Sequence, residues 1–407
     1  MSLIVQKYGG TSVADIDHLK RVAGLVEKRS KSCDRLVVVL SAMSGQTDSL
    51  LKMAHEASER PDERELDMLL SSGERITVPL LAMILKSKRL AAVSLTGRQS
   101  GIFTNGMHTK ARIKNIEQKR IERWLDKGYI AVVAGFQGYS EEADTVTTLG
   151  RGGSDTTAVA LAVALEAERC EIFTDVDGVY TTDPNIEPSA RRIEKISYEE
   201  MLEMAGLGAK VLQVRAVGMA AKYRMPILVK SSFRDGPGTM VVSEDESMES
   251  VLVSGVVYDK NQAKLTVAGI PDRPGIAAKI FEFVAAEEIN VDMIIQNIGR
   301  EGTTDLTLTV PLTDAKKAVT QLEKAAKEVE GGKVLVDEEI GKVSIVGIGM
   351  RSHTGIAAKM FSIMAEAGIN IQMISTSEIK VSCVVAKKDV EKSVKLLHKS
   401  FELEKAK

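Results

Sequence analysis

The sequence predicts a two-part α/β protein, a mostly parallel sheet covered by helices on both faces and then two small β-α-β-β-α-β units. Three observations predict it. From residue 3 to residue 230, short apolar runs alternate with helical patterns, and the runs end in Gly- or Ser-rich turns. Such alternation builds a parallel sheet whose ligands gather at the carboxyl ends of the strands. Two of the turns are glycine loops that lead into helices, Lys7-Tyr-Gly-Gly-Thr-Ser12 and Gly150-Arg-Gly-Gly-Ser-Asp155. Finally, the chain repeats itself: Gly275-Ile-Ala-Ala-Lys279 returns as Gly355-Ile-Ala-Ala-Lys359, and Ile289-Asn-Val-Asp-Met-Ile294 as Ile369-Asn-Ile-Gln-Met-Ile374, each after 80 residues. Two copies make a tandem pair, not a solenoid.

In order, residues 3–7 read as a strand and 15–29 as a helix with Ile16, Leu19, Val22, Ala23 and Val26 on one face. Residues 35–40 are a buried strand, followed by a turn at 41–45 and a helix capped near Thr47 or Asp48. Ser71-Ser-Gly-Glu74 opens a further helix, and 91–95 and 130–135 are strands. After the second glycine loop a helix of small apolar residues begins near Asp155, with Ser154 placed to cap it. Residues 170–175 form a strand that enters a turn-rich hairpin over 176–184; 197–204 and 210–223 are helices and 227–230 a strand. The acidic, unpatterned stretch 243–250 marks a boundary, so the first domain takes residues 1–242.

Copy one of the repeat runs strand 264–270, helix 275–286, strands 290–296 and 304–310, helix 314–328 and strand 333–338. Copy two has strand 342–348, a helix, strands 370–375 and 380–386, and helix 390–401, then only the charged residues 402–407. It is one strand short, and an open edge beside a hydrophobic sheet is avoided in natural proteins. The unassigned run Val251-Leu-Val-Ser-Gly-Val-Val-Tyr258 is therefore expected to pair into copy two. Copy one, residues 263–340, becomes an insertion within copy two, residues 251–262 plus 341–407.

Composition bounds the function. The 407 residues are 44% hydrophobic and 27% charged with net charge −2, as in a soluble globular protein, and the interspersed charges give no reason to expect nucleic acid. No apolar run is read as approaching the ~20 residues that span a bilayer, and no signal peptide is read at the start, so neither a membrane nor secretion is expected and the location is cytoplasmic. Cys33, Cys170 and Cys383 lack disulfide or zinc spacing and are expected as buried thiols. The five histidines, His18, His55, His108, His353 and His398, stand singly and outside the glycine loops.

Glycine loops at helix starts bring N–H groups and the positive helix end to an anion. Arg151 adds a fork suited to carboxylate or phosphate, and acidic residues stand at Glu74, Asp155, Asp175 and Asp183. Two anion loops with a Lys and an Arg suit phosphoryl transfer, which is mainly positioning plus electrostatic stabilisation. The first loop is not a Walker A loop, because Lys7 precedes its glycines. An alcohol acceptor would benefit from a general base, whereas a carboxylate is already ionised; the lack of a loop histidine favours a carboxylate acceptor and an acyl-phosphate product.

These loops, with Ser71-Ser-Gly-Glu-Arg75 and Thr174-Asp-Val-Asp-Gly-Val-Tyr-Thr-Thr-Asp-Pro184 and the paired repeats, resemble the aspartate kinases over essentially the whole chain. The resemblance implies a three-layer αβα amino-acid-kinase sandwich followed by two ferredoxin-like ACT domains. It implies phosphorylation of L-aspartate by ATP to 4-phospho-L-aspartate, the first step toward lysine, threonine and methionine, with Mg2+ bound through ATP and no metal ligand assigned to the protein. It gives Lys7 and Asp155 catalytic roles and makes Ser41, Thr47, Glu74, Arg151, Gly152, Gly153 and Ser154 aspartate ligands. Lys7, Tyr8, Gly9, Gly10, Thr174, Asp175, Tyr180, Asp183, Pro184, Lys210 and Val211 would hold the nucleotide. Lysine, threonine or both would inhibit through Asp272, Pro274, Gly275, Ile276, Ala277, Asn290, Val291, Asp292, Gln296, Thr354, Asn370, Ile371, Thr376 and Glu378. The assembly would be a homo-oligomer or an α2β2 complex with a small subunit starting near Met248. Asn185 departs from the family, where many members have Arg. The competing readings are another amino-acid kinase, acting on glutamate or acetylglutamate, and a catalytically silent amino-acid sensor.

Overall fold

The computed structural model describes residues 2–209, 211–245, 251–297 and 302–405. They group into two units, Met1–Tyr180 with Arg192–Met248, and Thr181–Arg191 with Glu249–Lys407. In chain order the first unit runs β1 (Leu3–Tyr8), α1 (Ile16–Ser30), β2 (Arg35–Leu40), α2 (Gln46–Ala57), α3 (Glu63–Leu70), α4 (Ser72–Ser87), β3 (Ala92–Leu95), β4 (Ile102–Thr104) and β5 (Ile113–Ile116). It continues α5 (Lys119–Leu125), β6 (Ile130–Ala134), β7 (Gln137–Ser140), β8 (Thr145–Thr148), α6 (Gly153–Ala164) and β9 (Arg169–Thr174). After the excursion at 181–191 come β10 (Lys195–Ser197), α7 (Tyr198–Gly206), α8 (Val214–Tyr223), β11 (Ile227–Ser231) and β12 (Thr239–Val242).

The main sheet has the order β10-β12-β11-β9-β1-β2-β6-β3, and its one antiparallel pairing is β11 with β12. Central β1 lies parallel between β2 and β9. A strand covered on both faces needs no polar alternation, which is why Leu36 to Leu40 are all buried. Asp15 caps α1 by accepting the His18 N–H, and Leu19, Val22, Ala23 and Val26 enter the same core as Val78, Leu81 and Leu85 of α4. A capping box of Ser197 and Glu200 starts α7.

Several local expectations change. The helix after β2 begins at Gln46 behind left-handed Gly45 (φ 74°), so Thr47 and Asp48 are first-turn residues and not caps. Similarly, left-handed Gly152 (φ 71°) starts α6, and Ser154 forms no cap. The hydroxyl of Ser154 packs instead against Gly135, where a Cβ would stand 2.7 Å from it. Residues 176–184 form no hairpin; Tyr180 makes an isolated bridge to Arg192. A four-stranded sheet, β5-β4-β7-β8, and the Asp62-capped α3 were not anticipated. By length and composition the helical stretch Glu63–Ser87 is apolar enough to cross a membrane, contrary to the sequence expectation; half of the qualifying window is buried. Cys170 and Cys383 are buried and Cys33 only partly so.

The second unit runs β13 (Gly255–Pro271), α9 (Ile276–Ala286), β14 (Ile294–Gln296), β15 (Thr303–Pro311), α10 (Ala315–Glu328) and β16 (Val334–Val346). It ends with α11 (Ile356–Glu366), β17 (Met373–Ser377), β18 (Lys380–Ala386) and α12 (Val390–Ser400). All six strands form one antiparallel sheet, β14-β15-β13-β16-β18-β17. Each of the two central strands serves both copies: Gly255–Asp259 pair with Lys342–Val346, and Lys264–Val267 with Val334–Asp337. The junctions at 259–262 and near 340 are register shifts in continuous strands, not turns. One core gathers Leu265, Ile280, Leu308 and Leu322, and the other Val253, Ile345, Met360 and Leu397.

Residues 181–191, placed with the first domain on sequence grounds, group with the second unit. Ile186 packs on the core around Val253 and Met360. The Val256 amide donates to the Thr181 carbonyl (2.7 Å), Tyr258 Oη donates to Asp183 Oδ2 (2.8 Å), and Thr181 Oγ1 lies 2.9 Å from Nε2 of buried His398. Residues 246–250, with Met248, lie outside the described residues.

Candidate active site

Strand β1 ends at Lys7-Tyr8, and α6 packs against β1 with its first turn at that end. Lys7 Nζ and Asp155 Oδ1 are 2.6 Å apart, with side chains only 12% and 9% exposed. A carboxylate in the first turn is favoured by the helix dipole, and it holds the ammonium facing the same anion-attracting terminus. A Cβ on Gly9 would stand 3.4 Å from Lys7 Nζ, and one on Gly10 3.1 Å from the Ala42 carbonyl, so the two glycines let the loop pass between the lysine and the turn after β2. Tyr8 is wholly buried, stacked on Phe173 with centroids 4.6 Å apart, and donates to Gln6 Oε1 (3.1 Å). Burial pushes its phenol well up, and a nucleotide could meet only its main chain.

The turn after β2 joins this end of the sheet to α4. The Ser41 amide donates to the Tyr8 carbonyl (3.2 Å), and the Ser41 carbonyl accepts from Thr77 Oγ1 (3.0 Å). Glu74, 2% exposed, accepts the Ala42 N–H on Oε1 (3.0 Å), while Oε2 is buried without a partner among the described residues. Burial raises its carboxyl to about 7 from 4.5, with the Ala42 amide pulling the other way. Thr47 is partly buried in the first turn of α2, and Arg151 is exposed between Gly150 and Gly152. The side chain of Gln213 covers Gly152, leaving no room there for a Cβ, and Gly153 is closed in by Phe136 and Leu149.

Sequence reading missed the support behind this loop. Buried Asp67 on α3 meets His108 Nδ1 (2.7 Å), accepts the Thr109 N–H (3.1 Å) and accepts from Thr148 Oγ1. The Thr109 carbonyl in turn abuts Gly150, 3.0 Å from where a Cβ would lie. His108 is thus a braced residue, and an acidic partner 41 positions upstream left no local signal.

Of the expected nucleotide residues, Thr174 donates to Asp175 Oδ1 (2.9 Å), and its carbonyl accepts the Ser232 N–H (2.9 Å). Ser12 and Ser232 hydroxyls lie 2.7 Å apart, which brings the unpredicted Ser-Ser end of β11 to the first glycine loop. Asp183 belongs to the second unit, where Oδ1 accepts both the amide (2.9 Å) and Nδ2 (3.0 Å) of Asn185. The residue that departs from the family pattern therefore caps Asp183. Pro184 follows it, Val211 precedes α8, and Lys210 lies outside the described residues. Among the described residues no group of three or more His, Cys, Asp or Glu side chains is arranged to hold a metal.

In the second unit, left-handed Gly275 (φ 93°) and Gly355 (φ 90°) start α9 and α11. Asp272, Pro274 and Thr354 are exposed beside them, Ala277 is partly buried and Ile276 is buried. Asn290, Val291 and Gln296 lie before or in β14, and Asn370, Ile371 and Thr376 before or in β17, the two edge strands. Asp292 is paired with the ammonium of Lys342, a residue 2% exposed, and Glu378 with Arg351 at 3.4 Å.

A near-buried lysine held by a helix-start carboxylate, between glycine loops at the carboxyl end of a parallel sheet, suits a small-molecule phosphotransferase. The amino acid kinase family model matches residues 2–231, and an ACT domain model matches 265–326 and 343–401. The chain is 52% identical to an aspartate kinase of Pseudomonas putida and 51% identical to an aspartokinase of Pseudomonas aeruginosa, each over 99% of this chain and 98% of the relative. Escherichia coli aspartokinase III in complex with aspartate and ADP (R-state) matches with a TM-score of 0.83 at 28% identity, over 98% of this chain and 99% of that one. The same enzyme in complex with lysine and aspartate (T-state) gives 0.78 at 27% identity, over the same shares. The chain belongs to the aspartate kinases of the amino acid kinase family, carries ACT domains after its kinase domain, and is a phosphotransferase with a carboxyl acceptor.

The raised carboxyl of Glu74 has a stability consequence. A group that binds its proton more tightly when folded penalises folding as pH rises from 4.5, and fully above about 7. Glu74→Gln should therefore raise the melting temperature at pH 8 and leave it nearly unchanged at pH 4. Thermal melts at the two pH values check this, and equal shifts would refute the assigned burial.

Proposed function

We propose that this chain transfers the γ-phosphoryl group of ATP to the side-chain carboxylate of L-aspartate, releasing ADP and 4-phospho-L-aspartate. The observation that carries the reading is the Lys7–Asp155 pair at the start of α6. A carboxylate oxygen forms the new bond to phosphorus as the bond to the β,γ-bridging oxygen breaks. Lys7 stabilises charge on the moving phosphoryl oxygens, and Asp155 orients Lys7. No base is required, because the acceptor is ionised at neutral pH.

Arg151 grips the α-carboxylate and Glu74 the ammonium, with Ser41, Thr47 and the main chain of Gly152, Gly153 and Ser154 around the substrate. Thr174, Asp175, Tyr180, Asp183, Pro184, Lys210, Val211 and the main chain of Tyr8, Gly9 and Gly10 serve the nucleotide. Magnesium enters as the nucleotide's complex. Lysine, threonine or both act at the ACT domains as feedback inhibitors of this first step toward lysine, threonine and methionine. Their ammonium must displace Lys342 from Asp292 or use Asp272. The enzyme works in the cytoplasm as a homo-oligomer, or with a small subunit starting near Met248, and the internally joined six-stranded sheet supports the insertion of the first ACT domain into the second.

Aspartate-dependent ADP release tests the reading. Arg151→Ala should raise KM for aspartate about 10- to 100-fold with a smaller effect on kcat, the loss of a charge-assisted pair. Below about pH 7 the wild-type affinity for aspartate should fall as Glu74 takes a proton, and Glu74→Gln should lack that dependence. ADP release that is unaffected by aspartate would overturn the assignment.

A further inference from the structure

Three buried acceptor oxygens border the first turn of α4, and among the described residues none has a donor. Glu74 Oε1 takes the Ala42 N–H, which leaves Oε2. Gln137, 1% exposed at the start of β7, donates Nε2 to the Ser71 carbonyl (2.9 Å). A carbonyl only accepts, so the amide oxygen must face the other way, and Oε1 is buried and unpartnered. The third is Gln46 Oε1, also buried and unpartnered, which lies 3.8 Å from where a Cβ on Gly73 would stand. Ser71, Gly73 and Glu74 stand within four residues at the start of α4, so Gln137, Gln46 and Glu74 are all brought to that one turn.

Buried polar atoms are normally paired, and an unpaired acceptor bears the desolvation of its lone pairs without return. Three acceptors with one negative charge suit a ligand group that only donates. An ammonium offers three N–H donors, no acceptor and a positive charge. An N-acylated amine offers one N–H and brings a carbonyl oxygen against oxygens, which is repulsive.

We propose that Gln137, together with Gln46, completes with Glu74 a receptor for the acceptor substrate's ammonium, and that Gln137 selects free α-amino dicarboxylates over dicarboxylates that lack the amine or carry it acylated. The inference rests on Glu74 as the ammonium ligand and adds the two glutamines to it.

Calorimetric titration of the full chain with aspartate and with succinate, the same dicarboxylate without the amine, tests it. Wild type should prefer aspartate, and Gln137→Met should shrink that preference about tenfold while succinate binding changes little. Gln137→Glu, which keeps an acceptor and adds charge, should preserve or enlarge the preference, so misfolding of one variant leaves the other decisive. If Gln137→Met weakens both ligands by the same factor, Gln137 is merely structural and the proposal fails. A wild type that binds aspartate with no preference over succinate refutes the ammonium receptor while leaving the carboxylate acceptor standing; one that binds neither overturns the substrate reading as well.

Discussion

Lys7→Ala should lower kcat by about two to three orders of magnitude, the cost of removing one preorganised group that faces developing charge. The lysine is 12% exposed and held 2.6 Å from Asp155, so it acts where water screens poorly and needs little reorganisation during transfer. Asp155→Asn should also cost turnover, less severely, because the ammonium remains but is no longer held. The double variant should be little worse than Lys7→Ala alone, as expected for residues that act as a unit. Steady-state ADP release, with circular dichroism to show an intact fold, checks all three. A Lys7→Ala enzyme within about fivefold of wild type in kcat would misplace the phosphoryl site.

The second large effect concerns the regulatory unit. A fragment of residues 249–407 should fold cooperatively, whereas one of residues 262–407 should not. The segment lost between them supplies the partners of Lys342–Val346 in the sheet, and it supplies Val253 and Val256, each 1% exposed. Burying a valine contributes roughly 1.5–3 kcal/mol, and a whole domain is stable by only about 5–15 kcal/mol. Two such residues and a ladder of five strand pairs are beyond what the second core can spare. Thermal melts of the two fragments distinguish the outcomes, and cooperative unfolding of 262–407 at the temperature of 249–407 would contradict the shared-strand architecture.

How much was legible follows from where the signals lie. Strands β2 and β6 are nearly unbroken apolar runs buried on both faces, β1 and β9 are largely buried with Gln6, Lys7, Arg169 and Glu171 among their apolar residues, and α1 carries a helical apolar stripe behind an Asp cap, so local pattern located them. The glycine loops located Lys7 and Asp155, because chain order alone places both at strand ends or helix starts on one edge of a parallel sheet. The repeat exposed the missing strand of copy two by simple inventory.

What escaped depends on contacts distant in sequence. Asp67 and His108 are 41 positions apart and look ordinary separately. Gln137 sits in a four-residue strand of mixed polarity, and its role depends on the carbonyl of Ser71, 66 positions earlier. Residues 181–191 read as a continuation of the first domain because nothing local shows that Thr181 meets His398, 217 positions on. The caps expected at Thr47 or Asp48 and at Ser154 failed for one reason: a left-handed glycine, Gly45 or Gly152, can start a helix without a side-chain cap, and the polar residues after it look like caps in sequence.

The central claim is that a carboxylate of free aspartate receives the phosphoryl group. Trapping with hydroxylamine tests it directly, since an acyl phosphate reacts to give a hydroxamate and an ordinary phosphate ester does not. The purified chain with ATP, magnesium and hydroxylamine should form aspartyl hydroxamate in step with ADP, with glutamate and acetylglutamate giving little and Lys7→Ala almost none. ADP formation without hydroxamate, or equal hydroxamate from glutamate, would contradict it.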